Sequence, residues 1–458
     1  MENPLIRKAV PTTDDTKEKF APLGFTDNPF PKHPGLSPGG DDPRSNGSIY
    51  SDALSLDKQE AFNKLLIRTP DNNKPYSIAF LMDAATRSGR GIGKSAFIFN
   101  QCSKIMKDFG SEASKGAEVL FAVSVRPMPK IRKFWEICRS IGDGLVESKI
   151  VEKAIWRLRA SSGMVPEDVI KEITGISDWE NTIGNDSWLD KKKVNTWDLN
   201  RYTKRVLVEA GVPEQLAHDF AYLSGNSANN YNWMTRFSDY NWRNDGAVLI
   251  FDHLVKLFRA AGFTRGLLLV DEVEKFVYYQ NTEERRNFAE SLRYYSFDAN
   301  VANSKHSFYG ILLTIHPLIQ ELLIPHWRAT GLDRFSPLSE PNSKQSTIYF
   351  NPLTEPMVKP LVKVYLDAYR IPGSADQKIK PFTDEALAEA LIKSKGVPGE
   401  MLVLLHHVVN FAAEKGLRSI DKKTVIEVSS TKAYIEERES VSGEEIPPPT
   451  EVDLTESK

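Results

Sequence analysis

Cysteine is scarce in this chain, with Cys102 and Cys138 the only two among 458 residues. Two thiols cannot staple a protein of this size, so no disulfide framework is expected and a reducing compartment is. Also missing is any run of ~18 apolar residues able to cross a bilayer. The N-terminus shows no basic-then-apolar signal stretch. The expectation is a cytoplasmic protein with no membrane contact. Neither sign of charge dominates: 59 Lys and Arg stand against 61 Asp and Glu, for a formal charge of −2. There is no global basic field for nonspecific nucleic-acid binding, and any DNA contact must come from a local patch. Metal-ligand spacing is absent as well, and His406-His407 reads as a helix face. No internal repeat is evident.

What is present begins with Ser88-Gly89-Arg90-Gly91-Ile92-Gly93-Lys94-Ser95. Before it, Tyr76 to Met82 reads as a buried strand; after it, Ala96 to Cys102 opens a helix. A strand feeding a glycine-rich loop into a helix aims several backbone N–H groups and the positive end of the helix dipole at one small volume, where a polyphosphate can sit. In this reading Lys94 bridges the β- and γ-phosphates and the Ser95 hydroxyl holds Mg2+. Ser88 stands where the strict pattern has glycine, and the loop from Asp83 to Arg87 is longer than the usual tight turn.

A second run, Gly266-Leu267-Leu268-Leu269-Val270-Asp271-Glu272, is apolar and ends in two carboxylates. It suits a central parallel strand whose C-terminal end meets a ligand crevice. Asp271 is then the residue that binds Mg2+, and Glu272 the one that polarises the attacking water. The bland alternative is a core strand followed by an acidic helix start.

The order of the Lys94 loop, the Asp271-Glu272 pair, the strand Tyr309 to Ile315 and then Gly331-Leu332-Asp333-Arg334-Phe335 resembles AAA+ ATPases. Within that group it is similar to the origin-recognition-like branch, and also to ATP-binding proteins of bacterial phage-exclusion systems, the latter through Gly266 to Phe276, Arg285 to Leu292 and Thr314-Ile315-His316-Pro317. The resemblance implies ATP hydrolysis with Mg2+ by a homo-oligomer working as a motor or switch with DNA or a DNA-processing complex, in phage defence or mobile-element biology. An alternative is a nucleotide-dependent scaffold that recruits a protein effector with little turnover. By the resemblance, Thr314 is a polar sensor of the γ-phosphate or attacking water, and Arg334 an arginine finger acting on a neighbour's nucleotide. The competing readings are an ordinary strand threonine and a surface ion pair, with Arg328 a rival for the finger. The segment Gly396 to Met401 resembles the start of a lid helix that supplies a second sensor arginine, yet Gly399 and Glu400 occupy that place. A GTPase reading lacks any Asn-Lys-x-Asp motif.

The expected fold is α/β: a P-loop parallel sheet with a large helical insertion and a C-terminal α-helical lid. Residues 1–47 read as a flexible N-terminal arm, 48–145 and 245–352 as the two parts of the ATPase core, 146–244 as the insertion, 353–435 as the lid and 436–458 as a disordered acidic tail. In the arm, Leu23 to Phe30 is an aromatic patch that either lies over the adenine or tethers the arm to the core. The insertion holds six of the eight tryptophans, Trp156, Trp179, Trp188, Trp197, Trp233 and Trp242. Basic residues stand beside some of them: Arg157, Arg159, Lys191, Lys192, Lys193, Arg201, Lys204 and Arg205. They form either the core and solvated face of a helical subdomain or a base-stacking, phosphate-binding surface. A protein partner fits the insertion as well as DNA does. Too little chain follows the lid for a winged helix.

Overall fold

The computed structural model describes residues 19–33, 41–72, 74–83, 91–223, 237–298, 307–372 and 378–436. In chain order its main elements begin with α1 (Leu56–Leu66), β1 (Ile78–Asp83), α2 (Lys94–Asp108) and β2 (Leu120–Val125). Helices α3 (Phe134–Glu147), α4 (Ile150–Ala160), α5 (Thr196–Glu209), α6 (Glu214–Ala221), α7 (Trp242–Val248) and α8 (Leu254–Ala260) follow. Next come β3 (Arg265–Val270), α9 (Glu274–Val277), α10 (Thr282–Arg293), β4 (Tyr309–Ile315), α11 (Pro317–Ala329) and β5 (Thr347–Phe350). The chain ends in α12 (Glu355–Tyr369), α13 (Asp384–Lys393), α14 (Pro398–Glu414) and α15 (Lys422–Ser429). Two compact units divide these elements, one drawn from 1–58, 83–100 and 350–458, the other from 59–82 and 101–349.

The larger unit is built on a five-stranded sheet in the order β2-β3-β4-β1-β5. Three pairs run parallel, with Val123 opposite Leu268, Leu268 opposite Ile311 and Phe80 opposite Leu313. The Phe80 N–H donates to Ser346 O at 2.8 Å on the β5 side. Every residue of β1, β3 and β4 is buried. Such strands are apolar throughout rather than alternating, because helices cover both faces of a parallel sheet. Aromatic rings fill one side: Phe121 lies 4.6 Å from Phe258 and 5.3 Å from Phe263 between ring centres. Trp327 of α11 meets Phe80 edge-on at 5.5 Å. The protein is thus α/β with a parallel sheet. Because the strands are parallel, β3 and β4 end at the same edge, and the residues that follow them share it.

Residues 150–221 are helical and carry a small core of their own, in which Trp156, Val165, Val169, Ile183, Leu189 and Leu199 are buried. Arg159 is buried inside it, donating to Asp186 Oδ1 at 3.0 Å, Asn200 Oδ1 at 2.8 Å and Ile183 O at 3.3 Å. Trp242 sits instead in the main core, and Trp233 lies outside the described residues.

In the other unit α12 to α15 pack around Leu366, Leu387, Leu404 and Val408. Side-chain caps set helix starts here: Thr383 Oγ1 accepts from Ala386 N and Asp421 Oδ1 from Thr424 N. The expected flexible arm, 1–47, is packed where it carries Phe20, Leu23, Phe25 and Phe30, all buried in this helical core. Thr26 N donates to Tyr369 O at 2.9 Å, Ile371 N to Gly24 O at 3.1 Å and Asn28 Nδ2 to His406 O at 2.9 Å. The aromatic patch is a tether, since four large apolar side chains gain more from this core than from solvent. No helix among the described residues is long and apolar enough to cross a membrane.

Candidate functional site

The acidic strand end is assembled entirely within the larger unit. Asp271 follows β3 directly and is 4% exposed, with its N–H bonded to Val125 O at 2.9 Å. Its Oδ1 accepts from Thr314 Oγ1 at 3.0 Å and from the Glu272 N–H at 2.9 Å. Oδ2 accepts no hydrogen bond among the described residues. Thr314 is itself buried, so the adjacent strands β3 and β4 bring Asp271, Glu272 and Thr314 together.

Glu272 has φ +53, a left-handed conformation costly for a side chain with a Cβ. The turn lets the chain leave β3 and start α9 at once, with Lys275 N donating to Glu272 O at 2.9 Å. Glu272 Oε2 lies 2.6 Å from Lys275 Nζ, both side chains more than a third exposed. Behind this turn, Tyr278 OH lies 3.3 Å from Nε2 of the buried His316, the residue after β4. Burial first, and then the Glu274 charge, pushes the Tyr278 phenol up to about 12, so it stays protonated at neutral pH.

The glycine-rich loop is described from Gly91 onward; Ser88, Gly89 and Arg90 lie outside the described residues. Gly91 and Gly93 have φ +73 and +94. A Cβ on Gly91 would come within 3.2 Å of Val397, whereas one on Gly93 would meet nothing within 4 Å. Glycine at Gly93 therefore answers to backbone conformation alone, in front of open space. Ile92 is buried and anchors the loop, and Phe97 N donates to Gly93 O at 3.0 Å as α2 starts at Lys94. The first turn of α2 contains no acidic residue. Ser95 lies in this first turn, half-buried.

One contact of this loop escaped sequence reasoning. The Gly399 N–H, in the first turn of α14, donates to Gly91 O at 2.8 Å. The place read as lacking a sensor arginine is thus joined to the loop through its backbone. Lys275 was also missed, although a glutamate followed three residues later by a lysine at a helix start is a readable signal.

Arg334 ends a 3-10 turn, Leu332–Arg334, launched from Gly331 with φ +77. Asp333 Oδ1 pins that turn by accepting from Leu338 N at 2.8 Å and Ser339 N at 3.0 Å. Arg334 is exposed and makes no ion pair among the described residues. Beside it Phe335 stacks on Phe297 at 4.5 Å and stays 44% exposed. The rival Arg328 is engaged, its Nε donating to Ser339 Oγ at 2.8 Å. No family model and no curated protein matches the chain. The class that fold and site define is a parallel α/β protein with a bonded Asp-Thr pair at one strand end and a positive-φ glycine loop at a helix start.

Proposed function

We propose that the chain is a Mg2+-dependent ATPase of AAA+ type, acting as a motor or switch. The observation that carries this reading is the acidic strand end, where a buried Asp271 is held by Thr314 and the chain spends backbone strain to turn out Glu272. Asp271 Oδ2 and the Ser95 hydroxyl are each hard oxygen donors of the kind Mg2+ takes. When bound, Mg2+ would neutralise charge on the β- and γ-phosphates.

In this reading the N–H groups after Gly91 and the Lys94 ammonium bind the polyphosphate, and open space before Gly93 suits it. Glu272 orients a water and accepts its proton, and Thr314 keeps Asp271 in place. Residues 146–244 are an insertion in the ATPase core, and α12 to α15 form a lid coupled to the loop through the Gly399 to Gly91 bond. One observation favours a slow switch over a fast motor: the Glu272 carboxylate is already paired with Lys275.

Titration with labelled ATP and measurement of phosphate release test the proposal. Lys94→Ala should lose most nucleotide binding, because it deletes the charge facing the phosphates. Glu272→Gln should keep ATP and lose turnover by ~100-fold or more. Wild-type affinity in the first variant, or wild-type turnover in the second, would overturn the assignment.

A further inference from the structure

The basic residues of the helical segment fall into distinct environments. Arg159 is buried, and Arg157 Nε is bonded to Ala261 O at 2.8 Å, so both are structural. Lys192 is bonded to Glu172, and Lys204 pairs with Glu214 at 2.9 Å. Lys191 and Lys193 are exposed and make no ion pair among the described residues. Arg201 and Arg205 are two-thirds exposed, against Asp198 at 3.3 Å and Glu209 at 3.8 Å. Exposed pairs of this kind are worth ~0–1 kcal/mol and exchange readily for another anion.

Between these cations in the chain stands Trp197, 58% exposed. Among the described residues it is the one tryptophan left on the surface; the others are buried or packed. Its place is fixed, because Asn195 Oδ1 caps α5 by accepting from Trp197 N at 3.1 Å and Asp198 N at 3.2 Å. The Arg201 guanidinium lies 4.6 Å from the indole ring centre. Trp197 makes no second ring or cation contact among the described residues. Leu199, Thr203 and Leu207 face the core, which leaves Trp197, Arg201 and Arg205 as a ridge at four-residue steps, about 6 Å apart along the helix.

We infer that this ridge binds single-stranded nucleic acid, with Trp197 stacking on a base and Lys191, Lys193, Arg201 and Arg205 taking phosphates. An indole exposed on a rigid helix turn gains only about 0.5–1 kcal/mol from its Arg201 contact, and an unpaired base supplies a large flat apolar partner for it. A duplex keeps its bases stacked on one another and offers no free face. Arg201 beside the ring, and Lys191 and Lys193 shortly before it in the chain with no ion pair among the described residues, supply the positive charge that a phosphate next to a stacked base needs. The inference uses none of the residues of the nucleotide reading and stands apart from it.

The test is fluorescence anisotropy of a fluorescein-labelled oligo(dT) of about 20 nucleotides, longer than a single-strand site of ~4–16, with the full chain at low salt. Trp197→Ala should weaken binding about 5- to 150-fold with an unchanged salt slope. Trp197→Phe should restore most of it. Lys191→Ala with Lys193→Ala should weaken binding and flatten the log–log salt slope by about 0.7 per lost phosphate contact. Melting temperatures should match wild type, because an exposed ring leaves no cavity. Lys94→Ala should bind the oligonucleotide normally without nucleotide, which keeps failure here distinct from failure of the ATPase reading. No wild-type affinity at low salt, equal displacement by a duplex, or unchanged binding by Trp197→Ala would overturn the inference. So would a Trp197→Ala protein that loses a co-purifying protein yet keeps the oligonucleotide.

Discussion

Glu272 carries two constraints that pull in different directions. Its φ of +53 costs about 1–3 kcal/mol for a non-glycine residue, which the flanking β3 and α9 must offset. Yet the carboxylate so displayed is paired with Lys275 at 2.6 Å. An exposed pair is worth at most ~1 kcal/mol, so Lys275 restrains Glu272 without locking it. Replacing Lys275 with Met should therefore raise ATP turnover, by up to about fivefold, and leave ATP affinity unchanged. Steady-state phosphate release beside a binding titration reads both quantities. A drop in turnover would mean that Lys275 orients the carboxylate rather than holding it back.

At the scale of elements, Arg159 decides the helical segment. Fully buried, it ties α4 to Ile183, Asp186 and Asn200, and burial lowers its pKa while the Asp186 charge opposes that shift. Arg159→Ala should destabilise this core by about 1–3 kcal/mol, because the buried Ile183 carbonyl and Asn200 side chain lose their donor. Arg159→Met, which keeps volume, should cost less. Hydrogen exchange over 165–200 should rise most in the Ala variant while ATP binding persists, since the cluster of Trp156, Val165, Val169, Ile183, Leu189 and Leu199 is distinct from the main core that α4 meets through Ile150, Val151, Ala154, Ile155 and Leu158. The strands were legible because buried parallel strands are written as unbroken apolar runs, as in Tyr309 to Ile315. Helix starts were legible from caps such as Thr383 and Asp421. Two other features were not. Trp197 shares its residue type with core tryptophans, and only the phase of α5 against Leu199 and Leu207 turns it outward. The bond from Gly399 to Gly91 joins backbone groups of distant segments, and such a contact leaves no trace in side-chain pattern.

For the whole molecule, Arg334 raises the question of what completes it. An exposed guanidinium, held on a pinned turn and making no ion pair among the described residues, is poised for an anion from outside. If that anion is the nucleotide of a second copy, Arg334→Ala should bind ATP normally and hydrolyse it about 10³-fold or more slowly, the range of arginine fingers. Glu272→Gln should also be inactive, by a different defect. Mixed, the two variants create interfaces that pair an intact Glu272 from one subunit with an intact Arg334 from the other, so part of the activity should return. Turnover per subunit should also rise with protein concentration as assemblies form. Recovery absent from the mixture, together with a rate per subunit independent of concentration, would assign Arg334 to a role within its own chain.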